Sequence, residues 1–274
     1  MKLKNTYRKF RHWIGVGIRV HWLKTFYLNF KLLPINQAIH FPFVVVGKVH
    51  LRSLIGKVEF QCPVCFGTVI IGKDVDNMPI SYMPAQIFLQ GKLVVKGTCI
   101  INQSASVVVW PQAVMELGEG VLICSGVLLK AVHHVTVGKY AMISSGCFIM
   151  DSNIHCIRDT ETGVVSNPTQ SIQIGDYCWL SMNTSILGGG ELPNCSITTR
   201  YALLNKAYGE ADSGCIFAGM PAKIVRRNKQ RVISFERERE ITQYFIDNPE
   251  AKTRFYFKGI EEISKNELKD FFSC

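Results

Sequence analysis

Acidic residues are missing from this 274-residue chain before Glu59, although eleven lysines and arginines precede that position. The formal net charge of +10 is therefore concentrated in this segment, where aromatic side chains alternate with the basic ones. A basic, aromatic-rich helix is typical of an element that lies on an anionic membrane surface. A cap helix whose polar face is basic is the alternative interpretation. Nucleic acid is disfavoured, because no known binding motif accompanies the charge.

The sequence also lacks an uncharged apolar run of about 20 residues, the length needed to span a bilayer. No apolar stretch followed by a small-residue cleavage site is found near the start, so we expect no secretory signal. These absences predict a cytoplasmic protein, which the basic segment could hold at the inner face of the cytoplasmic membrane.

The ten cysteines include the pair Cys62 and Cys65, which has the spacing of half a zinc site. No second pair and no Cys/His partner stands at a usable distance along the chain, so we expect no metal. Cys147 and Cys178 occupy positions where the repeat described next requires small residues, and there a thiol serves as a compact hydrophobic group. Free thiols in a reducing compartment are therefore predicted.

An aliphatic residue recurs at every sixth position through the middle of the chain. The longest series contains Ile174, Leu180, Ile186, Leu192, Thr198 and Leu204, in which only the threonine is not aliphatic. A second series contains Leu117, Ile123 and Leu129, and a third contains Val137, Ile143 and Ile149. Four residues after most of them stands a small side chain, for example at Cys178, Thr184, Gly190, Ser196 and Ala202. The gap from Leu129 to Val137 is two residues too long and predicts a bulge.

A period of six fits neither an α-helix, which repeats at 3.6, nor an ordinary strand, which repeats at 2. It is typical of a triangular solenoid with one short strand and one corner per hexad, whose coils stack at the strand spacing of about 4.8 Å. The aliphatic residue points inward and the small residue fits at the corner. The sequence thus predicts a parallel β-helix.

Three parts are predicted along the chain: a basic N-terminal segment over residues 1–42, with a helix ending at Pro34, a β-helix over 43–227 and a helical extension over 228–274. The last part should contain a helix with Ser234 as its N-cap and a short helix over Asn266–Phe272. We expect irregular coils before residue 115 and regular hexads after it. Two interruptions are predicted, a polar loop over 156–173 and a second break over 207–214.

His155 stands next to the first interruption, where the hexad register calls for an aliphatic residue. Histidine exchanges protons near neutral pH, so one at the mouth of a loop is a candidate base for a hydroxyl group. Alternatively, the register simply ends there and His155 is the first loop residue.

Four motifs in order resemble the hexapeptide-repeat acyltransferases, most closely the sugar O-acetyltransferases of bacterial capsule and exopolysaccharide gene clusters. They are Asp151-Ser-Asn-Ile-His155, Ile174-Gly-Asp-Tyr-Cys-Trp179-Leu, Ile186-Leu and Phe217-Ala-Gly-Met-Pro-Ala-Lys-Ile-Val-Arg226. The resemblance implies a homotrimer of left-handed β-helices that binds acetyl-CoA between adjacent solenoids and transfers the acetyl group to a sugar hydroxyl.

The resemblance also implies roles for particular residues. His155 would be the general base, and Asp151 would hold either its imidazole or an acceptor hydroxyl. The backbone N–H of Met182 would contact the oxyanion and the pantetheine arm, and Trp179, three residues earlier, would belong to the same cofactor-binding site. The matching basic positions beside the CoA phosphates are Lys206, Lys223 and Arg226. Arg200 stands where the family has a small residue, and it could either bind a phosphate or block the cleft.

Two other functions remain open at this point. A non-catalytic scaffold would use the solenoid and the basic helix only to bind partners at a membrane. A metalloenzyme similar to the γ-class carbonic anhydrases would need three histidines around zinc. His133 and His134 precede His155 by about one coil, but no histidine follows at the required distance, which disfavours this alternative.

Overall fold

The computed structural model describes residues 20–74 and 83–256, and within them the chain winds into three parallel sheets. Each strand pairs with strands of the same sheet one coil earlier and one coil later, so successive strands pass from sheet to sheet. In the most regular part Trp179 pairs with Ile197, 18 residues later, which is three hexads. The predicted class, a left-handed parallel β-helix of hexapeptide repeats with helical caps, is confirmed.

Sheet 1 contains, in spatial order, β1 (Phe43–Val45), β4 (Val69–Lys73), β7 (Cys99–Asn102), β10 (Val121–Ile123), β13 (Met142–Ile143), β16 (Trp179–Leu180), β19 (Ile197–Thr198), β21 (Ile216–Ala218) and β22 (Lys223–Arg226). Sheet 2 contains β2 (Val49–Leu54), β5 (Ala85–Leu89), β8 (Ser106–Val109), β11 (Leu128–Ala131), β14 (Phe148–Met150), β17 (Ser185–Leu187) and β20 (Leu203–Leu204). Sheet 3 contains β3 (Lys57–Phe60), β6 (Lys92–Val95), β9 (Val114–Leu117), β12 (His134–Val137), β15 (Ile172–Ile174) and β18 (Glu191–Leu192).

The core is built from the hexad positions. Every aliphatic residue of the three predicted series is buried, and so are the small residues at the corners. Thr198 is buried as well, and its hydroxyl compensates for its polarity by accepting the Ser181 N–H at 2.9 Å and by bonding the Thr184 hydroxyl at 2.7 Å. The threonine thus replaces an aliphatic residue without leaving an unpaired polar group in the core.

The cysteines of the described residues are free thiols, as predicted. Burial raises the pKa of the Cys147 and Cys178 thiols to about 12, so both stay protonated at neutral pH. Cys62 is half-buried and Cys65 is exposed. Among the described residues no three His, Cys, Asp or Glu side chains come together as a metal site would require.

Helix α1 (Trp22–Leu32) covers the first coil. The Asn29 side chain donates to the Phe43 carbonyl at 2.7 Å and accepts the Phe43 N–H at 3.0 Å, while the Thr25 hydroxyl accepts the Val45 N–H at 3.0 Å. These bonds satisfy backbone groups at the outer edge of β1, which has no earlier strand beside it. The short helix α2 (Ile35–Ala38) follows Pro34. Of the predicted helix, residues 1–19 lie outside the described part, and none of the described helices is long and apolar enough to span a bilayer.

The C-terminal end of sheet 1 is formed by β22, which pairs antiparallel with β21. The chain then turns back along the solenoid: the Lys229 N–H donates to the Gly214 carbonyl, and the Arg231 guanidinium contacts the Met142 sulfur. Helix α3 (Phe235–Asp247) follows, with Ser234 as its N-cap as predicted. The helix predicted over Asn266–Phe272 lies outside the described residues.

Three corners connect the sheets, and their positions matter for the site. The first corner joins sheet 1 to sheet 2 and includes Ser145, Met182 and Arg200 in successive coils. The second corner joins sheet 2 to sheet 3.

Both predicted interruptions are present. The first is a loop over residues 151–171 at the second corner, which begins five residues earlier than expected, and the second holds a 3₁₀ turn, Glu210–Asp212.

The coils before residue 115 are less irregular than the sequence indicates. Strands β1 to β9 already alternate among the same three sheets, and they pair in the same parallel sense as the later strands. The hexad pattern is hidden in this part because strands β2 to β9 have four to six residues each and the coils are correspondingly longer.

Candidate active site

The loop over residues 151–171 leaves the solenoid between β14 and β15 on a hydrogen-bonded stem. The Asn153 N–H donates to the Pro168 carbonyl at 2.9 Å, and the Gln170 N–H donates to the Asp151 carbonyl at 2.9 Å. Farther out, Arg158 and Val165 form an antiparallel bridge. The loop is therefore a tied hairpin, whose first strand carries His155.

His155 is exposed on this loop. It does not take the core position that the register suggests, because the chain has already left the solenoid at Asp151. Ile154 precedes it with a φ of +64°, and the Ile154 N–H donates to the Ser152 hydroxyl at 2.9 Å. The turn just before His155 is thus fixed locally, while the imidazole itself is open to a reactant.

Asp151 is fully buried at the start of the loop. Its carboxylate accepts three backbone hydrogen bonds from the preceding coil, from Val132 at 2.7 Å, His133 at 2.8 Å and His134 at 2.7 Å. All three donors lie between Leu129 and Val137, in the stretch where the sequence predicts two extra residues and a bulge. Bonds from N–H groups to a carboxylate are stronger than neutral ones, so Asp151 pins the bulge to the stem of the loop. Among the described residues it makes no hydrogen bond to His155.

Of the three glycines at positions 188–190, Gly188 and Gly189 lie directly against the stem, whereas Gly190 lies against Ile186 and Leu204. A Cβ atom at Gly189 would stand 2.4 Å from the Gln170 Oε1 atom, and φ there is +83°. One at Gly188 would stand 3.1 Å from the Asp151 carbonyl oxygen. This glycine run, which is unusual for the hexad pattern, therefore makes room for the loop to leave the solenoid.

Trp179 and Met182 lie at the end of sheet 1 and at the first corner. The Trp179 Nε1–H donates to the Ser144 hydroxyl at 3.0 Å, which fixes the indole against the previous coil. The Met182 carbonyl accepts the Tyr201 N–H at 3.3 Å from the next coil. Within residues 20–74 and 83–256 no acceptor is bonded to the Met182 N–H. That N–H is therefore available to a ligand.

Arg200 is exposed at the same corner, one coil beyond Met182. Its guanidinium donates to the Tyr201 hydroxyl at 3.0 Å and lies 4.7 Å from the centre of the Tyr201 ring. This cation–π contact holds the charge on the surface of the corner.

The other three predicted cationic residues belong to the last coil. Lys206 follows β20 at the second corner, with its Nζ atom 5.2 Å from the centre of the Tyr208 ring. Lys223 and Arg226 are the ends of β22 and are exposed. In the described part of the chain none of the three forms an ion pair. Such unpaired cations are suited to a polyanionic ligand.

Within one copy of the chain, the residues predicted for the active site lie in two separate places. Met182 and Arg200 lie at the first corner, and Trp179 and Arg226 lie in the sheet that leads to it. His155 and Lys206 belong to the second corner. Sheet 2 lies between the two corners.

Sequence reasoning missed the outward face of sheet 2. From β5 onward its side chains are mostly apolar and partly exposed, and they form a ladder along the solenoid: Phe88, Val108, Leu128, Phe148, Met150, Leu187 and Leu203. Sheet 3 differs, because its outward face carries Glu116 between Lys96 at 2.5 Å and His134 at 2.9 Å. The signal was in the sequence, since Leu128, Phe148 and Leu203 each stand just before a core aliphatic residue.

Comparison with known proteins supports the resemblance read from the motifs. The chain is 30% identical over 95 residues to a polysialic acid O-acetyltransferase of Escherichia coli O1:K1 / APEC, a match that spans 35% of this chain and 30% of that protein. No protein-family model matches. The chain resembles sugar O-acetyltransferases.

The solved structures that match the chain include three acetyltransferases. The polySia-specific acetyltransferase NeuO is 21% identical, with a TM-score of 0.43. The match covers 75% of this chain and 93% of NeuO. The polysialic acid O-acetyltransferase OatWY matches with 21% identity, 74% and 98% coverage and a TM-score of 0.36. A hexapeptide-repeat acetyltransferase of Vibrio cholerae O1 biovar eltor, complexed with acetyl coenzyme A, matches with 17% identity, 42% and 61% coverage and a TM-score of 0.36.

Proposed function

We propose that this protein is an acetyl-CoA-dependent O-acetyltransferase that acts on a sugar hydroxyl of a surface polysaccharide, in the cytoplasm. The observation that carries the proposal is the exposed His155 on a loop whose stem is held by the buried Asp151. The 95-residue similarity to a polysialic acid O-acetyltransferase supports the reaction and the class of acceptor.

His155 acts as the general base in this proposal. Its imidazole accepts the proton of the acceptor hydroxyl as the hydroxyl oxygen attacks the thioester carbonyl, and the same imidazolium returns a proton to the departing thiolate. The Met182 N–H donates to the carbonyl oxygen while negative charge develops there. Bound acetyl-CoA supplies the activated acetyl group, and CoA leaves as the free thiol. A base for the hydroxyl and a hydrogen-bond donor for the oxyanion are sufficient for this transfer, so the proposed reaction needs no metal.

The CoA phosphates would be held by the unpaired cations of the last coil, Lys206, Lys223 and Arg226, together with Arg200 at the first corner. The fit rests on the charge and exposure of these side chains. Asp151 contributes by positioning the loop rather than by touching the imidazole, because its oxygens are occupied by backbone N–H groups.

The site is assembled between copies of the chain in a homotrimer. His155 and the Met182 N–H lie at different corners of one solenoid, and both corners border sheet 2, whose outward face is apolar and partly exposed. Packing that face against a neighbouring copy buries it and sets the second corner of one chain beside the first corner of the next.

The proposal is tested by measuring CoA release from acetyl-CoA with a panel of sugar acceptors, including polysialic acid, neutral capsular glycans and a no-acceptor control. We expect acceptor-dependent release with at least one glycan and an O-acetyl ester in the product by mass spectrometry. The alternative function, a non-catalytic scaffold, is supported by one observation, the contact of Arg200 with Tyr201 that occupies the first corner. Calorimetric titration with CoA separates the two, since a scaffold would show no binding.

A further inference from the structure

Helix α1 has two different sides. One side holds the first coil through Thr25, Leu28 and Asn29, all of which are buried. On the opposite side Leu23 is 81% exposed and Tyr27 is 53% exposed. A helix that only capped the solenoid would be expected to show polar side chains to solvent, and these two residues depart from that pattern.

Aromatic side chains form one flank of this exposed side. Trp22, Phe26 and Phe30 are spaced by four residues and so share a flank of the helix. The Phe26 and Phe30 rings stack at 4.3 Å, and the Phe41 ring lies 6.1 Å from that of Phe30. Ile35 of α2 and Ile39, which follows this helix, extend the surface and are 72% and 55% exposed. We call the set Trp22, Leu23, Phe26, Tyr27, Ile35 and Ile39 the N-terminal ridge.

The other flank of α1 is basic. A shallow groove there is lined by Lys24 and Tyr27 from the helix and by Val49, His50, Leu51 and Arg52 from β2. The Lys24 ammonium is held at this place by the Val49 carbonyl at 2.7 Å. We call Lys24, His50 and Arg52 the basic flank.

The charged residues that precede Glu59 in the sequence are all basic. The first acidic residue of the chain is Glu59, and its carboxylate is paired with Lys92 at 2.6 Å in sheet 3. The sequence before Val20 adds six lysines and arginines and no acidic residue. The partner of this end of the molecule must therefore be anionic and must also accept apolar side chains.

We propose that the N-terminal ridge and the basic flank dock the protein on a bilayer that contains anionic phospholipid. An interfacial helix buries aromatic and leucine side chains at the boundary of headgroups and acyl chains while lysine and arginine stay among the phosphates. The ridge and the flank lie side by side: α1 contributes Leu23 and Tyr27 to the first and Lys24 to the second, and β2 adds His50 and Arg52. This inference goes beyond the proposed function, because it does not depend on acetyl transfer.

The test is co-sedimentation of the full-length protein with vesicles of phosphatidylcholine alone and with vesicles that contain about 30% phosphatidylglycerol, since each basic residue near an anionic surface strengthens binding about fivefold. We expect binding only to the anionic vesicles and release at about 0.5 M NaCl, where screening shortens the reach of the charges. The double variant Lys24→Gln/Arg52→Gln should lower the partition coefficient by roughly twentyfold. Leu23→Ser/Tyr27→Ser should lower it roughly tenfold.

Matched controls come from the C-terminal part of the chain. Ile246→Ser removes an aliphatic side chain that is 65% exposed on α3, and Lys252→Gln removes an exposed cation. Both should bind vesicles like the unmodified protein. The proposal is overturned if the unmodified protein ignores anionic vesicles, or if the control and ridge variants lose binding equally. It is also overturned if Leu23→Ser/Tyr27→Ser changes the oligomeric state in sedimentation velocity, because the ridge would then contact a second copy.

Failure of this proposal and failure of the proposed enzyme are distinguishable. Vesicle binding is measured without acetyl-CoA or acceptor, and acetyl transfer to a soluble acceptor is measured without vesicles. The ridge variants should keep the activity of the unmodified protein with a soluble acceptor.

Discussion

The buried carboxylate of Asp151 accepts the backbone N–H of His133 at 2.8 Å, which ties the first residue of the extruded loop to the preceding coil. Because the carboxylate also bonds the N–H groups of Val132 and His134, it holds the bulge of one coil and the loop stem of the next as a unit. The loop that carries His155 therefore starts from a fixed point.

Asp151→Asn should destabilise the fold by about 2–4 kcal/mol, because an amide offers an NH₂ group to at least one of the three N–H donors and leaves it buried and unpaired. Chemical denaturation measures the loss. The matched control is Asp176→Asn, whose carboxylate also accepts a backbone N–H, from Lys139 at 2.9 Å, but is partly exposed. Its cost should stay below about 1 kcal/mol. Equal stability of the Asp151→Asn protein and the unmodified one would show that these bonds do not hold the stem.

His155→Ala should lower the rate of acetyl transfer by roughly 10²–10⁴-fold, the usual contribution of a general base. Stability should change by less than about 0.5 kcal/mol, because the imidazole is exposed. Steady-state CoA release and thermal denaturation measure the two effects. His133→Ala is the control, since its side chain is also exposed at the second corner while its backbone N–H stays bonded to Asp151. A folded His155→Ala protein with full activity would sink the mechanism.

Phe148→Glu should dissociate the proposed trimer, because it places a charge in the middle of the apolar ladder of sheet 2, between Leu128 and Ser185. Sedimentation velocity should show monomers, and the activity should fall with the loss of the trimer. The control Gln173→Glu adds the same charge to the exposed face of sheet 3 and should remain trimeric. A trimeric Phe148→Glu protein would contradict the assignment of sheet 2 as the interface.

Arg200→Ala should raise the KM for acetyl-CoA about tenfold and leave kcat unchanged, because a guanidinium that binds a phosphate in both the ground state and the transition state contributes uniform binding. Initial rates over a range of acetyl-CoA concentrations give both constants. Lys139→Ala, which removes an exposed cation at the corner between sheets 3 and 1, should change neither. A lower KM for Arg200→Ala would mean that the guanidinium obstructs the cleft.

Much of the solenoid could be predicted because each coil repeats a local rule. The hexad register identified the core residues one by one, including the buried Thr198. The two extra residues before Val137 indicated the turn between β11 and β12, whose N–H groups Asp151 accepts. Cys147 and Cys178 were correctly assigned as small buried residues for the same reason.

The details of the loop could not be predicted, because they depend on contacts between coils. The register through Ile149 gave no sign that Asp151 would be drawn inward by backbone groups nearly 20 residues earlier, so the loop begins before the expected position. Likewise, the sequence does not indicate why glycine is needed at positions 188 and 189, because the reason is their close approach to Asp151 and Gln170 of the stem.

The segment Lys229–Arg231 joins parts of the solenoid that are otherwise linked only through their neighbours. Stacked repeats can fray from an end one coil at a time, since each coil contacts only the coils beside it. Here one short segment contacts Gly214, Cys195 and Met142, which belong to coils of β21, β19 and β13. The last coil can open only when the contacts of this segment with Gly214, Cys195 and Met142 are broken. We therefore expect the C-terminal coils to unfold cooperatively as one unit.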